Sequence, residues 1–153
     1  MAVFNKDIIK LTTDNKHFQK EVYYDEQCQI VMMSIEPGDD IGEETHDADQ
    51  TTFFVAGEGQ VVVDGSRSKV TPNHIVVIPK GAVHNIINKG EEPLKLFTVY
   101  SPPAEEEGVS HKTKEEAEAA EEDAASAFKG QAEGRAPKAP APCGFSPAPG
   151  SRP

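Results

Sequence analysis

Between residues 17 and 100 the chain passes through eight short runs rich in β-branched and aromatic residues, with turn residues in the gaps. The runs are 17–24, 29–36, 51–56, 60–63, 67–70, 75–78, 83–88 and 94–100. Pro37-Gly38, Gly57-Glu58-Gly59, Asp64-Gly65, Thr71-Pro72-Asn73, Pro79-Lys80-Gly81 and Lys89-Gly90 punctuate them. Gly, Asn and Asp tolerate the positive φ that tight turns need, and Pro presets its own φ. Asp64-Gly65, with strand-like runs on both sides, fits a primed two-residue hairpin turn. Many short strands at this spacing, with no helical pattern between them, predict an all-β sandwich or barrel.

A different composition begins near residue 103. Ser101-Pro102-Pro103 stops the last run, and beyond it Ala, Glu and Pro dominate. The expected division is a β-barrel over 1–103, an acidic Ala/Glu-rich helical extension over 104–129 and a Pro/Ala-rich disordered tail over 130–153. Within the extension, residues 114–128 read as a helix, with Thr113 as N-cap and Glu116 as its capping-box partner. Phe128 is the only large apolar side chain of that helix, so it has little to bury. The tail lacks the apolar bulk that would offset the entropy of ordering it.

The formal net charge of -11 excludes a nucleic-acid-binding role, which needs a basic face, and disfavours an anionic membrane surface. Cys28 and Cys143 are the only cysteines, too few for a disulfide framework or a CxxC zinc site. The first sixteen residues are charged throughout and lack the apolar stretch of a secretory signal. No run approaches the length of a membrane span. A cytoplasmic setting is therefore expected.

The chemistry concentrates in Pro37-Gly38-Asp39-Asp40-Ile41-Gly42-Glu43-Glu44-Thr45-His46, followed by Asp47-Ala48-Asp49-Gln50. Glu44 and His46 are two apart, so on an extended strand they share a face. Gln50 can return to that face after a bend, and His84 arrives on a separate strand after Pro79-Lys80-Gly81. A carboxylate, two imidazoles and an amide oxygen make a mixed N/O donor set for one divalent transition metal, Mn, Fe, Ni or Zn. Glu44 is the candidate either for ligand or, swung free of the ion, for general base beside it.

At these residues the chain resembles the cupin superfamily. That family's first motif is Gly, five residues, His-x-His, three or four residues, Glu, six residues, Gly. Here Gly38 opens it, Glu44 stands in place of the first His, His46 matches the second, Gln50 replaces the Glu and Gly57 closes it. The second motif, Pro-x-Gly-x-x-His-x-x-x-Asn, is met by Pro79, Gly81, His84 and Asn88, with Asn73 in place of the usual leading glycine. The resemblance covers roughly residues 28–100 and is strongest to small one-domain cupins labelled mannose-6-phosphate-isomerase-like. It implies a double-stranded β-helix (jelly-roll) barrel, RmlC-like, with the metal in its mouth. The departures leave the formal ligand charge at -1 but move the carboxylate from the third position to the first.

Two functional classes follow. One is a small-molecule metalloenzyme of oxygenase, isomerase or lyase type. The other is a non-catalytic ligand-binding or sensor cupin whose metal is structural or vestigial, a reading that the Glu and Gln replacements favour. A phosphosugar substrate is disfavoured, because no basic pair projects into the barrel. His17, His74 and His111 are expected to be structural or solvent-facing, Cys28 a buried small residue, and Glu105-Glu106-Glu107 a solvated face. Tyr24, Met33, Ile35, Phe54, Ile86 and Phe97 are expected mostly in the core. A homodimer is expected through the edges of runs 17–24 and 29–36.

Overall fold

The computed structural model describes residues 3–132 of the 153-residue chain. Its elements are α1 (Ile8–Asp14), β1 (Gln19–Tyr24), β2 (Gln29–Ile35), β3 (Asp49–Ala56), β4 (Gly59–Val63), β5 (Ser66–Val70), β6 (Ile75–Ile78), β7 (His84–Asn88), β8 (Leu94–Ser101), β9 (Ser110–His111) and α2 (Lys114–Ala132). All eight expected strands form, with ends shifted by two residues at most. The strands make two antiparallel sheets, ordered β6-β3-β8-β2-β1-β9 and β5-β4-β7. Inward residues of both sheets join one apolar cluster that includes Val31, Ile35, Phe54, Val61, Ile86 and Leu96. This is the jelly-roll barrel. Each such side chain contributes about 1.5–3 kcal/mol by leaving water.

Strand alternation sets which residues face in. Along β8, Leu94, Leu96, Thr98 and Tyr100 are buried, while Lys95, Phe97 and Val99 between them are half-buried. Phe97 therefore lies on the outer face, stacked on Phe53 with ring centroids 5.4 Å apart. Tyr24 also departs from expectation: it ends β1 beyond a bulge and is 37% exposed. Asp64 (φ 47°) and Gly65 (φ 82°) both take positive φ, as a primed turn requires. Gly57 has φ 88°, and a Cβ there would lie 2.7 Å from the carbonyl oxygen of Pro93, so only glycine fits.

The boundary expected at residue 103 gives way to a compact unit that reaches Glu118. β9 pairs with β1, Val109 and Ala117 are buried, and the N–H groups of Ala104 and Glu105 donate to the side chain of Gln29. β9 also borders part of the expected dimer edge. It covers β1 at Gln19 and Lys20, Glu21 N–H donates to Val109 O, and β2 lies between β1 and β8. The outer strands of the two sheets are β6, β9, β5 and β7.

Helix α1 had no expectation behind it. Its seven residues are too few for a periodic signal; Asp7 caps it by accepting from Lys10 N–H. The start of α2 follows the capping expectation in part. Thr113 Oγ1 accepts from Glu116 N–H at 3.2 Å, whereas the Glu116 carboxylate takes the Lys112 N–H rather than that of Thr113. Lys114 Nζ then reaches Asp39 (3.0 Å) and Asp40 (2.6 Å) in the loop that opens the first motif. The second compact unit begins at Ala119; within it α2 continues to Ala132. Residues 133–153, with Cys143 and most of the expected tail, lie outside the described residues. Among the described residues no helix is long and apolar enough to cross a membrane.

Candidate metal centre

Residues 40–46 run antiparallel beside β7. Ile41 N–H donates to Ile86 O, Glu44 N–H to His84 O (2.8 Å), His84 N–H to Glu44 O (2.9 Å) and Gly81 N–H to His46 O. Glu44 and His84 thus exchange both backbone hydrogen bonds, and directly opposite residues in such a pair project to the same face. Glu44 and His46 share a face by parity, and Thr45 between them is exposed. The geometry brings together three of the four expected ligands by backbone pairing alone.

Glu44 Oε2 lies 3.0 Å from His46 Nε2 and 4.0 Å from His84 Nε2. The two imidazole rings are tilted at 46°, with centroids 5.4 Å apart. One donor atom from each of the three residues falls within 4.8 Å of the others. Two donors on opposite sides of one ion, at about 2.1 Å each, stand about 4.2 Å apart, so small side-chain shifts would let one ion touch all three.

His84 is 2% exposed. Its Nδ1 is 3.0 Å from the carbonyl oxygen of Ala82, which can only accept. Nδ1 therefore carries a proton, which in the neutral imidazole leaves the lone pair on Nε2. That Nε2 is buried and has no hydrogen-bond partner among the described residues. An orphaned buried lone pair is costly unless something fills it, and a second-shell carbonyl on the other nitrogen is how metal-ligating imidazoles are oriented.

Gln50, 1% exposed on β3, is the cross-strand partner of Tyr100 on β8. Its amide Nε2 is 3.4 Å from Thr52 Oγ1, which lies 3.0 Å from Thr98 Oγ1, which in turn donates to the Thr51 carbonyl. Because the chain ends on an acceptor, every hydroxyl in it donates the same way. Gln50 is thereby left with its Oε1 buried and unpartnered. Tyr100, the strand partner of Gln50, meets the ring of His46 edge-on at 5.2 Å.

The sequence profile of the cupin domain matches residues 31–100, the stretch that holds both motifs. The uncharacterized protein YrkC of Bacillus subtilis is 35% identical over 126 residues, 78% of this chain and 68% of YrkC. The chain belongs to the cupin superfamily. The crystal structure of BH2720 from Bacillus halodurans superposes with a TM-score of 0.75 at 33% identity, covering 77% of this cupin and 95% of BH2720. TT1209 from Thermus thermophilus, at 24% identity and a TM-score of 0.57, covers 64% of this chain and 96% of its own, and shares the fold.

Two residues of the site lie outside the cupin motifs and were missed. Tyr100 is fully buried, and its hydroxyl bonds to Glu105; burial first, then the charges of Glu105 and Glu44, push its pKa well above the ordinary value. Glu105 Oε1 lies 3.9 Å from His46 Nε2 with its side chain 18% exposed, while Glu106 and Glu107 are exposed. The acidic run is therefore not a uniform solvated face. Strand parity gave a signal for Tyr100; nothing local distinguishes Glu105 from its neighbours.

The other candidates take quieter places. His74 is exposed, with Nε2 3.3 Å from Thr71 Oγ1, and His17 and His111 are half-buried. Cys28 is half-buried, and desolvation, then Asp25, raises its pKa, which disfavours a reactive thiolate. A surface hollow of about 550 Å³ lies at the far end of β3 and β7, lined by Gly57, Glu58, Pro72, Lys89 and Glu92. It contains none of the site residues.

Proposed function

We propose that this cupin holds one divalent transition-metal ion on Glu44, His46 and His84, with the Gln50 amide oxygen as a fourth donor, and acts on a small organic molecule. The observation that carries the reading is the buried His84 Nε2, tautomerically fixed and unpartnered 4.0 Å from the Glu44 carboxylate. Two imidazoles with oxygen donors suit Mn, Fe, Ni or Zn. When bound, such an ion supplies Lewis acidity to a substrate oxygen. Glu44 is half-buried, touches His46 and retains access to solvent, so it is the group placed to take a proton from substrate. The Tyr100 ring walls His46 off from water on one side.

A phosphosugar is an unsuitable substrate. Lys114 is committed to Asp39 and Asp40, Lys80 pairs with Asp47, and Arg67 bonds Gln60 on the other sheet. A second reading, a non-catalytic binding or sensor cupin, is favoured by the 3.0 Å contact of Glu44 with His46, a hydrogen bond that satisfies both groups without an ion. We further assign the chain to the cytoplasm as a homodimer. Its contact would lie on β6, an edge strand with Ile75 and Val77 62% and 61% exposed. Ile75→Lys should then halve the mass seen in sedimentation.

Elemental analysis of protein purified without added metal tests the site, together with His46→Ala and His84→Ala. Wild type should carry close to one transition-metal ion per chain, and each variant should lose it. A metal-free wild type whose melting temperature no added divalent ion raises would refute the reading.

A further inference from the structure

Gln29, Tyr100, Gln50 and Ile78 form one row across β2, β8, β3 and β6 at a single end of the barrel. The strap that follows β8, residues 102–109, is clamped at this end. Gln29 is fully buried; its Oε1 accepts from the N–H groups of Ala104 (3.2 Å) and Glu105 (3.0 Å), and its Nε2 donates to the carbonyl of Glu105 and to Glu21. The other oxygen of Glu21 accepts from Gly108 N–H at 2.7 Å. The backbone of Glu105 is thus held on both sides by one side chain.

That clamp sets the Glu105 carboxylate 3.9 Å from His46 Nε2, where Glu44 already stands at 3.0 Å. Two carboxylates converging on one imidazole in a poorly hydrated place repel each other unless positive charge, a proton on the imidazole or a bound ion, lies between them. The Nε2 of His84, 2% exposed, without a hydrogen-bond partner and 4.0 Å from Glu44, marks a cation position beside Glu44. Glu105 lies outside the set of donor atoms within 4.8 Å of one another, which holds Glu44, His46 and His84, but at 3.9 Å from His46 Nε2 a swing of its side chain would let one ion bridge it and His46.

We propose that Glu105 is the second carboxylate of this metal site, supplied by the strap where the first motif offers only Gln50. The inference rests on the metal reading above. With Glu44 and Glu105 the donor set carries two negative charges and balances a divalent ion, whereas Glu44 with Gln50 leaves one positive charge uncompensated. Tyr100 donates to Glu105 and is a positioning residue.

Calorimetric titration of the full chain with Mn²⁺ and with Ni²⁺ tests the assignment on wild type, Glu105→Gln, Glu105→Asp, Tyr100→Phe and His84→Ala. Glu105→Gln should keep one site per chain and weaken it by about tenfold to a hundredfold. Glu105→Asp, which keeps the charge but draws it back, should fall between, and gives the answer if the Gln variant does not fold. Tyr100→Phe should weaken the site less than Glu105→Gln. If Glu105→Gln and Glu105→Asp bind as wild type does while His84→Ala does not, Glu105 serves only as the acceptor for Tyr100 and the inference is overturned. If wild type binds neither ion, the metal reading falls and this inference with it.

Discussion

Glu44, His46 and His84 stand on backbone paired within the barrel, whereas Glu105 stands on a strap held by the side chain of Gln29. In the first group, register does the positioning. The reciprocal Glu44–His84 hydrogen bonds and the Gly81–His46 bond place the three side chains through backbone pairing. In the second, position depends on a residue about seventy-five positions away in sequence. The same end of the barrel thus carries one group built by pairing and another added by anchoring. Elements of the second kind should open at lower free energy than strands of the core.

The comparison can be broken most severely from the barrel side. Phe54→Ala removes a fully buried ring from the core beneath β3 and should cost about 3–5 kcal/mol, read from the urea midpoint. A loss below about 1 kcal/mol would mean that the barrel core does not hold the frame on which the site stands. Gln29→Leu attacks the strap alone. It leaves the Ala104 and Glu105 N–H groups without acceptors and should cost about 1–3 kcal/mol. Cleavage of residues 102–109 by protease should accelerate while the core strands stay protected in hydrogen exchange. Equal protection of strap and core strands in the variant would remove the distinction.

A third attachment is electrostatic and should respond to pH. The Asp40 carboxyl is held below the usual carboxylate range by Lys114 first and Asn85 next. A carboxyl whose folded pKa is depressed stabilises the fold above its unfolded value, near pH 4, and that contribution is lost as pH falls through the lower folded value. Asp40 is about a third exposed, so Lys114→Met should cost only about 0.5–1 kcal/mol at pH 7. The gap between the variant and wild type should close on acidification below about pH 4; a gap that persists there would assign the effect to packing of the lysine stem. A similarly small effect is expected for Thr98→Val, which breaks the hydroxyl relay behind Gln50 at about 0.5–1.5 kcal/mol. Melting temperature with and without metal would show whether that relay matters to the site.

Much of this was legible along the chain because it is local. The turn at Asp64-Gly65, the need for glycine at position 57 and the parity of Glu44 with His46 depend on φ preferences and a two-residue period. The cupin motifs add the spacing that brings His84 into the same face. Tyr100 was half legible, since alternation along β8 turns it inward but cannot show what it meets. Glu105 was illegible, because three consecutive glutamates look alike until a fold separates one from the others.

The strands, the turns and the parity of Glu44 with His46 were fixed along the chain, because each follows from short-range backbone geometry, while His84 joined them through the resemblance to the cupin motifs. Only the tertiary structure decided that β9 borders part of the expected dimer edge, that the compact unit extends to Glu118 and that Glu105 stands beside His46. Those features rest on single contacts between distant segments, Gln29 to the strap and β1 to β9. Such contacts leave no periodic trace, since their partners become neighbours only after the barrel has closed.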